Sequence, residues 1–327
     1  MTILVTGSAG FIGYHVSAAL LARGEAVVGV DNLNSYYDPS LKRARLERLR
    51  AQVGFAFEQA DVADLEAVTT LARRHRHQIT GVVHLAAQAG VRHSLKAPFD
   101  YVRSNLVGQV VLLEVCRHEL PSLRHLVYAS SSSVYGGNTK VPFAVEDRVD
   151  RPISLYAATK RADELMSHCY SHLYRIPATG LRFFTVYGPW GRPDMAAYLF
   201  ADAITAGRPI TLYNRGEMER DFTYIDDIVA GVLAALDRPP AAEDGAPHKV
   251  YNLGNHRPVP LRRFVAVLEQ ELGMRAEIEL APLPPGDVVR TCADIEASRR
   301  DLGFEPRTPI EDGLPRFVAW YRDYRGL

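Results

Sequence analysis

The sequence contains little cysteine, no excess of either charge and no long hydrophobic run. The three cysteines, Cys116, Cys169 and Cys292, are too few and too scattered for a disulfide framework or a zinc site. The 38 basic residues balance the 38 acidic ones, so no overall charge favours a nucleic-acid or membrane partner. No apolar stretch approaches the length of a membrane span, and the apolar run at residues 2–5 follows no basic leader. We therefore expect a cytoplasmic protein without a targeting signal.

Short apolar runs alternate with segments of helical periodicity as far as residue 183. The runs cover residues 3–5, 26–30, 81–85, 125–129 and 178–183, and the helical segments cover 11–23, 64–77, 99–118 and 156–174. This alternation is the pattern of repeated βαβ units and predicts an α/β fold with a doubly wound parallel Rossmann sheet. Ligands of such sheets bind outside the carboxyl ends of the strands.

The regular alternation ends near residue 183, and prolines then separate shorter elements. We predict a first domain over residues 1–183, which contains the Rossmann sheet, and a smaller C-terminal α/β substrate-binding domain over 184–327. The segment of about 221–255 is expected to pack back onto the first domain. The basic segment LKRARLERLRAQ, which begins at Leu41, is interpreted as a solvated helix face, with a phosphate clamp as the alternative.

A glycine-rich stretch, GSAGFIG, joins the first predicted strand to the first helix. Gly7, Gly10 and Gly13 permit a tight turn and bring backbone N–H groups and a helix N-terminus close to a pyrophosphate. Asp31 follows 18 residues after Gly13, where a carboxylate can accept hydrogen bonds from both adenosine ribose hydroxyls. Because a carboxylate repels a 2′-phosphate, we predict NAD rather than NADP. A helix or turn cap is the alternative role for Asp31.

The predicted cofactor site includes further residues beside these motifs. Asp61 follows the third strand and suits a contact with the adenine edge, although it could equally be a cap. The full set of predicted cofactor-binding residues is Gly7, Gly10, Phe11, Ile12, Gly13, Asp31, Asn32, Asp61, Val62, Leu85, Ala86, Ala87, Tyr156 and Lys160. The eleven histidines show no metal-ligand spacing, so no metal is expected.

Tyr156 and Lys160 in SLYAATKRADEL lie four residues apart and share one helix face. Lowering the pKa of a phenol from about 10 to about 7 takes roughly 4 kcal/mol. An ammonium ~5 Å away at an effective dielectric of ~20 supplies roughly 3 kcal/mol. The nicotinamide of oxidised NAD would add a second positive charge, and Ser154 is a candidate N-cap. The pair therefore predicts a base for alcohol oxidation.

The motifs GSAGFIG and YAATK resemble those of the extended short-chain dehydrogenase/reductase superfamily. HLAAQAGVRHS, YASSSSVYG and RDFTYIDDIV extend the resemblance along most of the chain. It implies that Ser131 hydrogen-bonds the reacting hydroxyl, with Ser132 and Ser133 close by, whereas a simple turn is the alternative for a serine run. It also implies that Lys160 holds the nicotinamide ribose, that His84 and Asn105 are structural, and that the protein is a homodimer.

The residues before VYG limit the reaction. Related dehydratases carry an Asp-Glu pair there and related decarboxylases a glutamate, whereas this chain has SSSSVYG. No acid in that stretch could eliminate water or protonate a carbanion. The remaining reaction is reversible oxidation followed by return of the hydride, which is epimerisation.

The segments RFFTVYGPWGRPDM and DNLNSYYDPSLKRARL are similar to those of the UDP-glucuronate 4-epimerases, and the likeness covers nearly the whole chain. Thr185 stands where UDP-galactose 4-epimerases carry asparagine, and Arg192 follows it by seven residues. Threonine and arginine suit a carboxylate. By holding it, they would protect the β-keto acid formed on C4 oxidation from losing carbon dioxide. A surface loop cation is the alternative for Arg192.

The same resemblance assigns residues to the remainder of the UDP-sugar. Arg220 matches a diphosphate-binding arginine, and Tyr213 is placed where an aromatic ring packs on uracil, with a strand-core role as the alternative. The full set of expected substrate-binding residues is Arg92, Ser131, Ser132, Ser133, Thr185, Arg192, Tyr213, Arg220, Asp287 and Arg290. The alternative functions are a UDP-glucose/galactose 4-epimerase, a UDP-glucuronate decarboxylase and a non-enzymatic NAD-sensing Rossmann module.

Overall fold

The computed structural model describes residues 1–242, 245–284 and 286–327. Within them the strands are β1 (Thr2–Thr6), β2 (Ala26–Asp31), β3 (Phe55–Gln59), β4 (Ile79–His84), β5 (His125–Ser131), β6 (Ala178–Phe183), β7 (Thr185–Tyr187), β8 (Ile210–Tyr213), β9 (Glu219–Arg220), β10 (Phe222–Tyr224), β11 (His248–Leu253), β12 (Val259–Pro260) and β13 (Ile278–Ala281).

The helices follow in the same chain order. They are α1 (Phe11–Ala22), α2 (Ser40–Arg50), α3 (Leu65–Arg74), α4 (Pro98–Tyr101), α5 (Gly108–His118), α6 (Leu155–Tyr174), α7 (Ala196–Thr205), α8 (Ile225–Leu236), α9 (Leu261–Leu272), α10 (Glu296–Leu302) and α11 (Ile310–Arg325). Short 3₁₀ turns cover His93–Leu95, Ser132–Tyr135 and Asn214–Gly216, and Val102–Val107 form a π-helical stretch.

Seven parallel strands form the large sheet, in the order β11-β6-β5-β4-β1-β2-β3. The order reverses between β1 and β4, which is where a doubly wound sheet opens a crevice for a ligand. The predicted fold class is therefore confirmed. Asp31 and Ser131 end two of these strands, so these two predicted ligand residues lie at the same edge of the sheet.

The core lies on both faces of this sheet because alternate side chains of each strand point to opposite faces. Ile3 and Val5 join one buried cluster, whereas Leu4 between them joins the other. Every residue of β6 is buried. This double burial explains why the strands are continuous apolar runs in the sequence rather than alternating ones.

The chain after β6 forms three small two-stranded sheets, β7 with β10, β8 with β13, and β9 with β12. In the predicted returning segment 221–255, β11 pairs with β6 and α8 contacts α1. Glu243 and Asp244 in that segment, and Pro285 further on, lie outside the described residues. The domain division at residue 183 stays a prediction.

The predicted helix over 99–118 is not continuous. It is divided into α4, the π-helical stretch and α5. The wider π turn contains Asn105, whose buried amide donates to the Gln88 carbonyl at 3.1 Å and to Thr159 at 2.9 Å. A local change of helix type at a tertiary contact leaves no periodicity in the sequence.

Candidate active site

A cavity of about 880 Å³ lies at the carboxyl edge of the large sheet. Every predicted cofactor residue lines it: Gly7, Gly10, Phe11, Ile12, Gly13, Asp31, Asn32, Asp61, Val62, Leu85, Ala86, Ala87, Tyr156 and Lys160. The lining also includes Arg92, Ser131, Ser132, Ser133, Thr185, Arg192, Tyr213, Arg220 and Asp287. Residues that are far apart in the sequence thus line one cavity.

The glycine turn leaves no room for side chains. Gly7 has a positive φ of 71°, and a Cβ added there would lie 2.7 Å from the Ala86 nitrogen. A Cβ on Gly13 would lie 2.0 Å from the Gly7 carbonyl oxygen. No side chain in the described part of the chain caps α1, and its first turn contains no acidic residue. The turn therefore presents uncapped backbone N–H groups and a helix N-terminus to an anion, which suits the pyrophosphate of NAD.

Asp31 both caps a turn and lines the cavity. Its carboxylate accepts from the Ala9 N–H at 3.2 Å and from the Leu33 N–H at 2.8 Å, and the Lys42 ammonium lies 3.8 Å away. Because a carboxylate offers about four acceptor positions, these contacts leave capacity for ribose hydroxyls. Asp61 likewise accepts from the Ala63 N–H at 2.9 Å.

Tyr156 lies in the first turn of α6, where the Ser154 side chain caps the helix by accepting from the Ala157 N–H at 3.1 Å. Its ring meets the Tyr101 ring edge-on at 6.0 Å between centroids. Lys160, one turn later, is almost fully buried and donates to the Ala129 carbonyl at 3.0 Å. The second acceptor of the Lys160 ammonium is the buried Asp163 carboxylate, also at 3.0 Å.

All four serines of the run line the cavity, but their hydrogen bonds differ. Ser130 is buried and donates to Glu164 at 2.6 Å, and Glu164 in turn receives two hydrogen bonds from Arg182 at 2.8 and 2.9 Å. Ser131 and Ser133 line the cavity, with 3.1 Å between their hydroxyl oxygens. Ser130 is thus occupied, which leaves Ser131, Ser132 and Ser133 for a ligand.

His84 and Asn105 are enclosed by protein contacts. The His84 Nδ1 lies 2.6 Å from the Thr6 hydroxyl. Burial, and then the Lys160 charge, lower the pKa of His84 to about 3, so its ring is neutral at physiological pH. Asn105 accepts from the Gln88 N–H at 2.8 Å in addition to its two donated bonds. Both residues support the site rather than face a substrate.

Arg192 and Thr185 line the same cavity as Tyr156 and Lys160. The Arg192 guanidinium forms a two-point ion pair with Asp194 through Nε at 2.9 Å and through Nη2, and Asp194 also accepts from the Tyr36 hydroxyl at 2.9 Å. Burial raises the pKa of Asp194, but Arg192 outweighs it and holds that pKa below its ordinary value.

A second cationic cluster lies around Asp287. Arg220 donates to one Asp287 oxygen at 2.9 Å and Arg92 to the other at 3.3 Å. The Arg92 guanidinium also lies 4.2 Å from the centre of the Tyr213 ring. Arg290 does not line the cavity, and its Nε pairs with Glu219 at 2.8 Å. Its expected contact with substrate stays a prediction.

Several residues of the site were not predicted from the sequence. Asp163, Asp194, Tyr36, Lys42 and Arg45 belong to this group. The basic segment of α2 is only partly a solvated face, because Lys42 and Arg45 are buried. The Arg45 guanidinium donates to the Ala9 carbonyl at 2.9 Å and to the Trp190 carbonyl at 2.6 Å. The spacing of Leu41, Arg45 and Leu49 along one helix face was the signal that could have placed Arg45 inward.

The described residues contain neither a group of metal-ligating side chains nor a helix suited to a membrane. In residues 1–242, 245–284 and 286–327, no three or more His, Cys, Asp or Glu side chains are grouped as metal ligands. Over the same ranges, no helix combines the length and apolar character that crossing a membrane requires.

Comparison with known proteins gives consistent matches. The model of the NAD dependent epimerase/dehydratase family matches residues 3–254. UDP-glucuronate 4-epimerase 4 of Arabidopsis thaliana is 50% identical over 335 residues, covering 99% of this chain and 76% of that protein. The crystal structure of UDP-glucuronic acid 4-epimerase from Bacillus cereus, in complex with UDP-glucuronic acid and NAD, matches with a TM-score of 0.89, 34% identity, and coverage of 99% and 100%.

A related enzyme with a different sugar also matches. The UDP-glucose 4-epimerase of Thermotoga maritima with UDP-glucose has a TM-score of 0.87 at 30% identity, covering 99% of this chain and all of that one.

We expect Gly13→Ala to abolish retention of the predicted NAD, because its Cβ would overlap the Gly7 carbonyl oxygen. The measurement is the nucleotide released from the purified, heat-denatured protein, quantified by chromatography. Gly137→Ala is the control, since a Cβ there meets its nearest heavy atom at 3.8 Å. Equal NAD content in the two variants would contradict the assignment of the glycine turn.

Proposed function

Because the chain belongs to the NAD-dependent epimerase/dehydratase family, we propose that it interconverts UDP-glucuronate and UDP-galacturonate by inverting C4. It is an isomerase with NAD as its cofactor. The related UDP-glucuronate 4-epimerases, one of them crystallised with UDP-glucuronic acid and NAD, support this. The observation that carries the proposal is that Thr185 and Arg192 line the same cavity as Tyr156 and Lys160. Residues suited to a carboxylate thus line the same cavity as the pair suited to alcohol oxidation.

The cofactor-binding residues suit the shape and charge of NAD. The glycine turn would hold the pyrophosphate, Asp31 the adenosine ribose, and Lys160 the nicotinamide ribose. Bound NAD supplies a reversible hydride acceptor for C4. The Lys160 ammonium has three N–H donors, and two are used by Ala129 and Asp163. One donor therefore remains for a ribose hydroxyl.

The chain's own proton chemistry centres on Tyr156. Tyr156 would take the proton of the 4-hydroxyl as C4 is oxidised and return it when the ketone is reduced. Ser131 or Ser132 would hydrogen-bond the same oxygen. No acid in SSSSVYG is available to remove a leaving group, so the 4-keto sugar has to turn and be reduced on its other face.

Arg192 and Thr185 would hold the carboxylate while C4 is a ketone. A β-keto acid loses carbon dioxide when the breaking C–C bond aligns with the ketone π system, so a fixed carboxylate protects the intermediate. The bidentate contact with Asp194 fixes the guanidinium before the substrate binds.

The nucleotide end would be held by Arg220 and Arg92. Burial lowers the pKa of Arg220 while Asp287 opposes this effect, and a substrate diphosphate would give both arginines an anionic partner. Tyr213 would contact uracil. Because only the nucleotide must stay fixed as the sugar turns, binding energy concentrates there.

We also propose a homodimer that works in the cytoplasm, without a nucleic-acid or membrane partner. Leu165, Cys169 and Leu173 are exposed at intervals of four along α6. Phe99 and Val107, on the neighbouring α4 and π-helical stretch, are also exposed, at 83% and 44%. An apolar stripe on adjacent helices is a typical surface for a second copy of the same chain.

We expect UDP-glucuronate to be converted to UDP-galacturonate, and Tyr156→Phe to lower kcat by about 10²- to 10⁴-fold while NAD stays bound. Proton NMR of the reaction in D₂O measures the product and the rate at which it forms. C4 should keep its original hydrogen because the hydride returns directly. A UDP-pentose product would favour the decarboxylase, and faster conversion of UDP-galactose would favour the other epimerase. Full biological activity of Tyr156→Phe would favour the NAD sensor.

We expect Arg192→Met to lower kcat/KM by about 10- to 100-fold, the effect of losing a charge-assisted hydrogen bond. Some UDP-pentose should form because the carboxylate is no longer fixed. Arg192→Lys keeps the charge without the two-point geometry, so its kcat/KM should lie between those of Arg192→Met and the native protein. Arg43→Met, which removes an exposed cation of α2, is the control. Unchanged kinetics and products in Arg192→Met would remove this residue from the site.

We expect sedimentation velocity to give the mass of a dimer, and Leu165→Glu to give a monomer, because a charge would be buried in the interface. The control is Leu65→Glu, a change of the same kind on α3, where the leucine is also 54% exposed. A monomeric native protein would contradict this arrangement.

A further inference from the structure

Asp163 lies one turn beyond Lys160 on α6, with its carboxylate buried between that helix and the sheet. Oδ2 accepts from the Lys160 ammonium at 3.0 Å. Oδ1 is buried and has no hydrogen-bond partner within the described residues. An unsatisfied oxygen of a buried carboxylate is costly, so a contribution to fold stability does not by itself account for this residue.

Asp163 is the second hydrogen-bond partner of the Lys160 ammonium and fixes where that ammonium lies. The ammonium is held between the Ala129 carbonyl at the end of β5 and Asp163 on its own helix. The Asp163 carboxylate also offsets the positive charge that Lys160 presents to the first turn of α6. The two effects, position and charge, are separable by substitution because asparagine keeps an acceptor oxygen but has no charge.

We propose that Asp163 is a positioning residue that holds Lys160 by a buried ion pair and sets the pH range in which Tyr156 acts as a base. The inference rests on the proposed function for the role of Tyr156. In that role the Lys160 charge would favour a phenolate at Tyr156, and the opposite charge of Asp163 would weaken this interaction.

Other ionisable groups surround α6. Besides Tyr156, Lys160 and Asp163, those on α6 itself are Arg161, Glu164, His168, Cys169, Tyr170, His172 and Tyr174. Those on the elements packed against α6 are His93, Asp100, Tyr101, Arg103, Glu114, Cys116, Arg117, His118, His125, Tyr128, Tyr135, Arg182, His248, Lys249 and Tyr251. His84 is close enough to Lys160 for the Lys160 charge to lower its pKa.

Four of these groups interact electrostatically with Asp163, Lys160 or Tyr156. Burial lowers the pKa of His84 to about 3 and raises the pKa values of Tyr101 and Tyr128. Burial also raises the pKa of Glu164, but hydrogen bonds from Arg182 and Ser130 outweigh it and hold the pKa low. These four therefore keep one charge state near neutrality.

Asp163 differs from these neighbours. Burial raises the pKa of its carboxyl to about 6, and the Lys160 charge opposes the rise. The carboxyl is therefore ionised at pH 7 and becomes protonated as the pH falls through about 6, at which point Lys160 loses its counter-charge.

The test compares the NAD-loaded native protein with Asp163→Asn. Seven residues of helix separate Asp163 from Tyr156, about 10 Å. At an effective dielectric of about 20, one charge at that distance moves a titration midpoint by about one pH unit. Asp163 itself becomes protonated over a nearby pH range, which reduces this shift. We therefore expect the Tyr156 titration midpoint in Asp163→Asn to fall by about half to one pH unit.

The phenolate is followed by near-ultraviolet absorbance, with the matching Tyr156→Phe protein subtracted in each background. The acid limb of kcat/KM against pH should move in the same direction. Groups common to both proteins, such as His93, cancel in the comparison. Glu66→Gln, which removes an exposed charge on α3, should leave both profiles unchanged. Asp163→Ser replaces Asp163→Asn if the latter does not fold.

An unchanged or raised midpoint of the Tyr156 titration in Asp163→Asn would overturn the proposal, whatever reaction the protein catalyses. A lowered midpoint in a protein that does not epimerise UDP-glucuronate would support the role of Asp163 and contradict the proposed substrate instead. The two hypotheses can therefore fail separately.

Discussion

The buried ion pair between Arg182 and Glu164 joins the elements that the site depends on. Arg182 belongs to β6 and Glu164 to α6, and Ser130 at the end of β5 donates to the same carboxylate. Arg182 also donates to the Tyr135 hydroxyl at 3.0 Å, and Tyr135 donates to Asn252 of β11 at 2.6 Å. Breaking a buried pair of this kind typically costs about 3–5 kcal/mol. The helix that carries Tyr156 and Lys160 is thus fixed to three adjacent strands.

A chain with no net charge binds anions by placing its cations locally. Arg192, Arg220 and Arg92 line the cavity, and each is paired with a carboxylate, Asp194 or Asp287. Such pairing lowers the cost of burying a guanidinium before a ligand arrives, and it fixes the geometry. Lys160 and Asp163 follow the same rule. The acidic residues of this cavity therefore matter as much as its basic ones.

The sequence was sufficient for the fold and for the residues that act through backbone geometry or local spacing. Apolar runs predicted β1, β2, β4, β5 and β6, and GSAGFIG and YAATK predicted the cavity residues on α1 and α6. Each of these signals is local.

The residues that the sequence did not indicate depend on tertiary contacts. The partners in the pair of Asp194 with Tyr36 are 158 positions apart, and Arg45 and Trp190 are 145 apart. No spacing rule connects such residues. Asp163 is a different case, because it is only three positions from Lys160 but is an ordinary helix residue in sequence, and only burial identifies it. Arg290, which only the resemblance assigned to the substrate, pairs with Glu219 and does not line the cavity.

Arg45 has a consequence for how this protein could diverge. One fully buried guanidinium bonds the turn that precedes α1 and the loop that precedes Arg192, and no carboxylate pairs with it within the described ranges. Arg45 therefore joins the two halves of the cavity, and His15 of α1 adds a second contact to the same loop, 2.9 Å from the Pro189 carbonyl. Selection for another sugar that reshapes the Trp190 loop would also disturb the dinucleotide turn, so sugar preference and cofactor retention are expected to change together rather than one at a time.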